Sequence, residues 1–218
     1  MSFLSFINAL QNALQKGALP GHEAQNKMAS GFYLEKKIDL KNLNGHKLSA
    51  VCLLLYEKNN TPHFLLIKRP DTHRYHAGQI ALPGGKCEPG ETYEQTALRE
   101  LTEETGIEIP AVNIIGRLTP MYIPVSNFYI QPIVAYSTHD FSPVKTAETE
   151  HFLEYPLKDL LNERIVGETE VKASGQLKFK TPYFHVQGFV LWGATAMMLS
   201  ELKELLKRDK PTFSSLFQ

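Results

Sequence analysis

Between Gly85 and Ile107 the chain reads GKCEPGETYEQTALRELTEETGI, and its acids are spaced for chemistry. At about 100° per residue in an α-helix, Glu103 and Glu104 lie about 300° and about 40° round from Glu100, so the three carboxylates share one face. Like charges this close repel, and the arrangement costs stability unless a cation offsets it. Oxygen ligands at this density suit a hard divalent ion, Mg²⁺ or Mn²⁺. Gly90 and the Pro-Gly turn before it let the chain double back and bring Glu91 towards the helix. Arg99 is placed to pair with one carboxylate and fix its orientation. A solvated acidic helix is the plain alternative, but it does not require this convergence.

The helix that must carry these groups is expected from about Thr92 to Thr105, with Leu98 and Leu101 anchoring it to a sheet and Gly106 as a left-handed cap. Strands are expected over 47–57, 63–69, 113–118 and 128–136, and further helices over 156–161 and 192–207. The first strand, KLSAVCLLLYE, is too apolar to alternate, as suits a strand covered on both faces. Around Ser174-Gly175 the polarity alternates as in a hairpin. Strands and helices in this order imply an α/β sandwich.

At the N-terminus Phe3, Phe6, Ile7, Leu10 and Leu14 recur at helical spacing. With no basic start and with Asn8, Gln11 and Asn12 among its apolar residues, this segment does not read as a secretion signal. Residues 1–30 are therefore expected as an amphipathic helix and loop packed on a single domain, 31–218, or offering a homodimer surface. The chain of 218 residues balances 23 basic against 23 acidic side chains, which argues against a nucleic-acid or anionic-membrane partner. Cys52 and Cys87 lack metal or disulfide spacing, and no apolar run reaches the roughly 18 residues of a membrane span. These features fit a soluble cytoplasmic protein.

The acidic stretch resembles the Nudix box, G-x5-E-x7-R-E-U-x-E-E-x-G-U with U aliphatic. Gly85, Glu91, Arg99, Glu100, Leu101, Glu103, Glu104, Gly106 and Ile107 fill every specified position. The resemblance implies an α/β/α sandwich with a mixed β-sheet between helices. It also implies a Mg²⁺- or Mn²⁺-dependent pyrophosphohydrolase that cuts a P–O–P bond. Glu103 and Glu104 are then metal ligands, Glu100 ligand or base, and Glu91 a supporting group. A further loop glutamate beyond the box is implied as well, with Glu148 the first choice and Glu150 the second.

The preceding segment, LLIKRPDTHRYHAGQIALPGG, resembles the signature of the coenzyme A pyrophosphatases, L-L-T-x-R-[SA]-x3-R-x3-G-x3-F-P-G-G. Leu65, Leu66, Arg69, Arg74, Gly78, Pro83, Gly84 and Gly85 match, whereas Ile67, Pro70 and Leu82 depart. Coenzyme A carries a diphosphate and a 3′-phosphate, for which Arg69 and Arg74 are expected as bidentate anchors beside Gly84 and Gly85, with Lys68, His73 and His76 nearby. Alternatives are another nucleoside diphosphate derivative (ADP-ribose, NADH or a dinucleoside polyphosphate) and a non-catalytic nucleotide-binding domain. An RNA-directed enzyme of the family would be expected to carry a basic surface.

Overall fold

The computed structural model describes residues 1–34, 45–71, 77–172 and 178–217. Helix α1 (Phe3–Lys16) starts where the Ser2 hydroxyl accepts the Ser5 N–H at 3.2 Å, and it buries all five residues of its apolar stripe. That stripe is spent inside the chain: Phe6 meets Phe213 edge-on, and Leu14 lies against Gly116. The stretch after it, expected as a loop, instead holds α2 (Gly21–Asn26) and reaches α3 (Gly31–Leu34). A tertiary contact accounts for α2. The fully buried Glu201 accepts from the Gly21 N–H at 3.1 Å, Gln25 Nε2 at 2.9 Å and the Thr119 hydroxyl at 2.6 Å, and no local pattern announces those bonds.

The central mixed sheet is built on β1 (Lys47–Lys58), which runs parallel to β7 (Phe128–Ser137) from Lys47↔Phe128 to Tyr56↔Ser137. Two partners share its other edge: β2 (Thr61–Lys68) and the short β4 (Gly84–Lys86), both antiparallel. Strand β2 also takes β3 (Ile80–Ala81) and β8 (His151–Pro156), while β7 takes β5 (Asn113–Arg117) and β6 (Met121–Ile123). Of these, β3, β4, β6 and β8 are additions to the sequence expectation.

Covering on both faces explains the unbroken apolarity of β1. Ala50, Cys52, Leu54 and Tyr56 pack beneath α4 (Tyr93–Thr105), whereas Leu53 and Leu55 join Phe6, Leu10 and residues of α6 (Gly193–Arg208). Alternate side chains thus enter opposite layers, which gives the α/β/α sandwich. Helix α5 (Leu157–Leu160) follows β8. A second sheet joins β9 (Val166–Lys172), β10 (Lys178–Val186) and β11 (Phe189–Trp192) in the order β11-β10-β9. It supplies both arms of the expected hairpin, whose Ser174-Gly175 turn lies outside the described residues. Both cysteines are free, and among the described residues no helix is long and apolar enough to cross a membrane.

Candidate active site

Helix α4 is set by its two ends. Thr92 and Gln95 form a reciprocal capping box, and Gly106 closes the helix at φ 71°. Its anchors differ from the expected pair: Ala97 and Leu101 are buried against the sheet, whereas Leu98 lies on a surface hollow with Pro89 and Gly90. The smaller Ala97 lets the helix come close to β1.

Arg99 gathers three carboxylates where one was expected. Its Nε and Nη2 grip Glu91 at 2.7 and 3.1 Å, and Nη1 reaches Glu100 and Glu103, each at 2.9 Å. Nη2 also donates to the Lys86 carbonyl at 3.1 Å, which ties the helix to β4. Glu91 further accepts the Thr96 hydroxyl at 2.7 Å and the Glu88 N–H at 2.9 Å. The Arg99 guanidinium and these donors hold the Glu91 carboxyl down at about 2. Glu103 is exposed, while burial raises the Glu100 carboxyl against the pull of Arg99.

Glu104 turns inward and is 1% exposed. The Gly84 N–H donates to its Oε2 at 2.9 Å, and Arg69 Nη2 stands 3.2 Å from its Oε1. That nitrogen is close enough for charge attraction but makes its hydrogen bond to the Gly84 carbonyl, at 3.2 Å, so Oε1 is buried without a hydrogen-bond partner. Burial pushes the Glu104 carboxyl up to about 7 despite Arg69, and the charges of Glu100 and Glu148 push the same way.

Gly84 and Gly85 serve by close approach. A Cβ on Gly84 would stand 2.5 Å from the Ala50 carbonyl oxygen, and one on Gly85 would stand 2.3 Å from Glu100 Oε1. The Ser49 hydroxyl donates to the Gly85 carbonyl at 2.6 Å, which pins β4 to β1. Of the two loop glutamates, Glu150 is paired with Lys68, whereas Glu148 is exposed and its charge reaches both Glu100 and Glu104. Lys68 is thereby engaged with Glu150 and Asp71. Arg74, His73 and His76 lie outside the described residues.

Sequence reasoning did not single out Ser49, Thr96 and Thr149. Each is a hydroxyl residue at no fixed motif position: Ser49 and Thr149 bond main-chain carbonyls 36 and 45 residues away, and Thr96 bonds Glu91 in the loop before its helix. Among the described residues no three His, Cys, Asp or Glu side chains converge as a ready cage, because Arg99 draws Glu100 and Glu103 to itself. The donor set nonetheless fits a hard cation: every ligand candidate is an oxygen, and the buried Oε1 of Glu104, though close to the Arg69 charge, accepts no hydrogen bond.

The family model described as NUDIX domain matches residues 45–173. The uncharacterized Nudix hydrolase NudL of Photorhabdus laumondii is 30% identical over 175 residues, covering 79% of this chain and 92% of the relative. The mitochondrial coenzyme A diphosphatase NUDT8 of Homo sapiens is 29% identical over 134 residues, covering 60% of this chain and 57% of its own. A crystal structure of RenU, a Nudix hydrolase from M. smegmatis, aligns with a TM-score of 0.51 at 18% identity, covering 75% of this chain and 88% of that one, and so shares the fold. With a filled box on a helix capped at both ends, and with a family model and a relative that extend well beyond it, the chain belongs to the Nudix hydrolases.

Proposed function

We propose that this Nudix hydrolase is a divalent-cation-dependent diphosphatase acting on coenzyme A or its derivatives, to give adenosine 3′,5′-bisphosphate and 4′-phosphopantetheine. The observation that carries the diphosphatase reading is Glu104, a buried carboxylate set beside Glu100 on the box helix, with one oxygen that faces the Arg69 charge but accepts no hydrogen bond. The segment from Leu65 to Gly85 and the likeness to a coenzyme A diphosphatase support the substrate.

Glu100, Glu103 and Glu104 would hold Mg²⁺ or Mn²⁺. When bound, the ion supplies charge neutralisation on the phosphoryl oxygens and a lowered pKa for the attacking water. Glu91 fixes Arg99, and Arg99 in turn sets the rotamers of Glu100 and Glu103. Glu148, exposed beside these groups, accepts the proton of the attacking water. Arg74 is the anchor proposed for a substrate phosphate.

Turnover of coenzyme A, ADP-ribose, NADH and diadenosine polyphosphates in Mg²⁺ tests the substrate, with coenzyme A expected to be preferred. Preference for a substrate without the 3′-phosphate would reject coenzyme A and leave the diphosphatase standing. Glu103→Gln should keep its melting temperature and lose about 100-fold or more in kcat; normal Mg²⁺-dependent turnover would reject the catalytic reading. One observation favours a broader nucleoside diphosphate substrate: Arg69, expected at the substrate, lies against Glu104 instead.

A further inference from the structure

The segment 142–150 carries Glu148 past the end of α4, and it is fastened on both sides of that residue. Ahead of it, the Val144 N–H donates to the Thr105 carbonyl at 2.8 Å. Behind it, the Glu150 N–H donates to the Lys68 carbonyl at 2.9 Å. Between these anchors the Thr149 hydroxyl donates to the main-chain carbonyl of Glu104 at 2.8 Å, and Thr149 is 2% exposed. The last turn of a helix leaves such carbonyls without intrahelical partners, so the hydroxyl satisfies an acceptor that would otherwise be buried unmade.

The partner is the informative part. Glu104 places its carboxylate in the site, and its own carbonyl is what Thr149 grips. Thr149 is buried and its neighbour Glu148 is exposed, so the bond holds one side chain down while the charge of the next acts on Glu100 and Glu104. We infer that Thr149 is a positioning residue, its hydroxyl clamping the loop to the catalytic helix so that Glu148 is held at a set place relative to Glu104. This rests on the proposed role of Glu148. The inference explains why a buried hydroxyl is used at 149: valine has the same shape but cannot donate.

The test is a double-mutant cycle of Thr149→Val with Glu148→Gln, read with Mg²⁺ on the best substrate of the four-member panel above. Thr149→Val should lower kcat by about 10- to 100-fold with KM nearly unchanged, because the nucleophile's proton acceptor is displaced. Thr149→Ser, which keeps the donor, should restore most of it. In a Glu148→Gln background Thr149→Val should cost under about threefold more, since the group it positions is gone. In the metal-free protein, amide exchange over 142–150 should quicken in Thr149→Val and not in Thr149→Ser. Should Thr149→Val fail to fold, Thr149→Ala takes its place in the cycle. Equal losses in both backgrounds, or normal turnover by Thr149→Val beside an impaired Glu148→Gln, overturn the clamp alone. Wild-type turnover by Glu148→Gln would remove the Glu148 assignment itself, and the clamp with it.

Discussion

Glu91 and Glu104 are both box carboxylates, yet the fold pulls their protonation in opposite directions. Glu91 is held at about 2, below its ordinary 4.5, so its stabilisation is present above pH 4.5 and is lost as pH falls towards 2. Glu91→Gln should therefore destabilise the protein at pH 7 by about 1–2 kcal/mol, with the gap to wild type narrowing below pH 4.5. Glu104 sits at about 7, above 4.5, so in the cation-free protein it brings a penalty that is absent below pH 4.5 and complete above 7. In chelator at pH 8, Glu104→Gln should melt higher than wild type, by a gap that narrows through pH 5 and closes below pH 4.5, although it abolishes turnover. Thermal melts from pH 8 down to about pH 2 check both signs, and a lower melting temperature for Glu104→Gln at pH 8 would contradict the burial argument. The acids themselves were legible in the sequence. Their opposite environments were not: Glu91 is held by Arg99, Thr96 and the Glu88 N–H within eight residues, but Glu104 is buried against β4 and Arg69, 18 to 35 residues back along the chain.

At the scale of elements, the site depends on how closely β4 lies between β1 and α4. Both glycines of β4 allow this approach, but they face different neighbours. Gly84→Ala would drive a Cβ into the Ala50 carbonyl and Val51 Cα, which are backbone atoms and cannot rotate away. It should cost about 1–3 kcal/mol or more. Gly85→Ala would meet the carboxylate end of Glu100, which can swing aside. That variant should keep most of its stability and lose at least about tenfold in kcat, since Glu100 leaves its place. Paired melting and kinetic measurements separate the two; equal melting temperatures would refute the backbone argument. Helix α4 was readable because helical spacing and a left-handed glycine are local signals; its Thr92–Gln95 capping box was not singled out. The short strands β3, β4 and β6 were not, since two or three residues carry too little periodicity and exist only through their partners.

Across the whole molecule, the two faces of the sheet divide the work. The layer under α4 carries the carboxylates, and the opposite layer, with α1 and α6, carries the larger share of the apolar core. Phe6, 1% exposed and edge-on to Phe213 at 5.9 Å, belongs to the second layer. Phe6→Ala should lose about 3–5 kcal/mol of stability while leaving kcat/KM at low temperature within about threefold of wild type. A large loss of kcat/KM in the folded variant would show that the faces are coupled. The apolar stripe of α1 was visible at once, but that it covers this chain's own sheet was a matter of tertiary packing.

By itself, the sequence determined the family, the box helix with its glycine cap, the long apolar strands and the identity of the acids, because each is written in local spacing. Tertiary structure alone decided that Arg99 serves three carboxylates, that Arg69 lies against Glu104, that Glu150 is taken by Lys68, and that Thr149 meets the helix end. The last three join residues 35 or more apart, and Arg99, though close to its partners in sequence, could be seen only to be placed for one of them; periodicity carries no information about which side chains meet across elements. The carboxylates at the rim could be counted from the sequence. How they are oriented, buried and shared between two arginines depends on the fold.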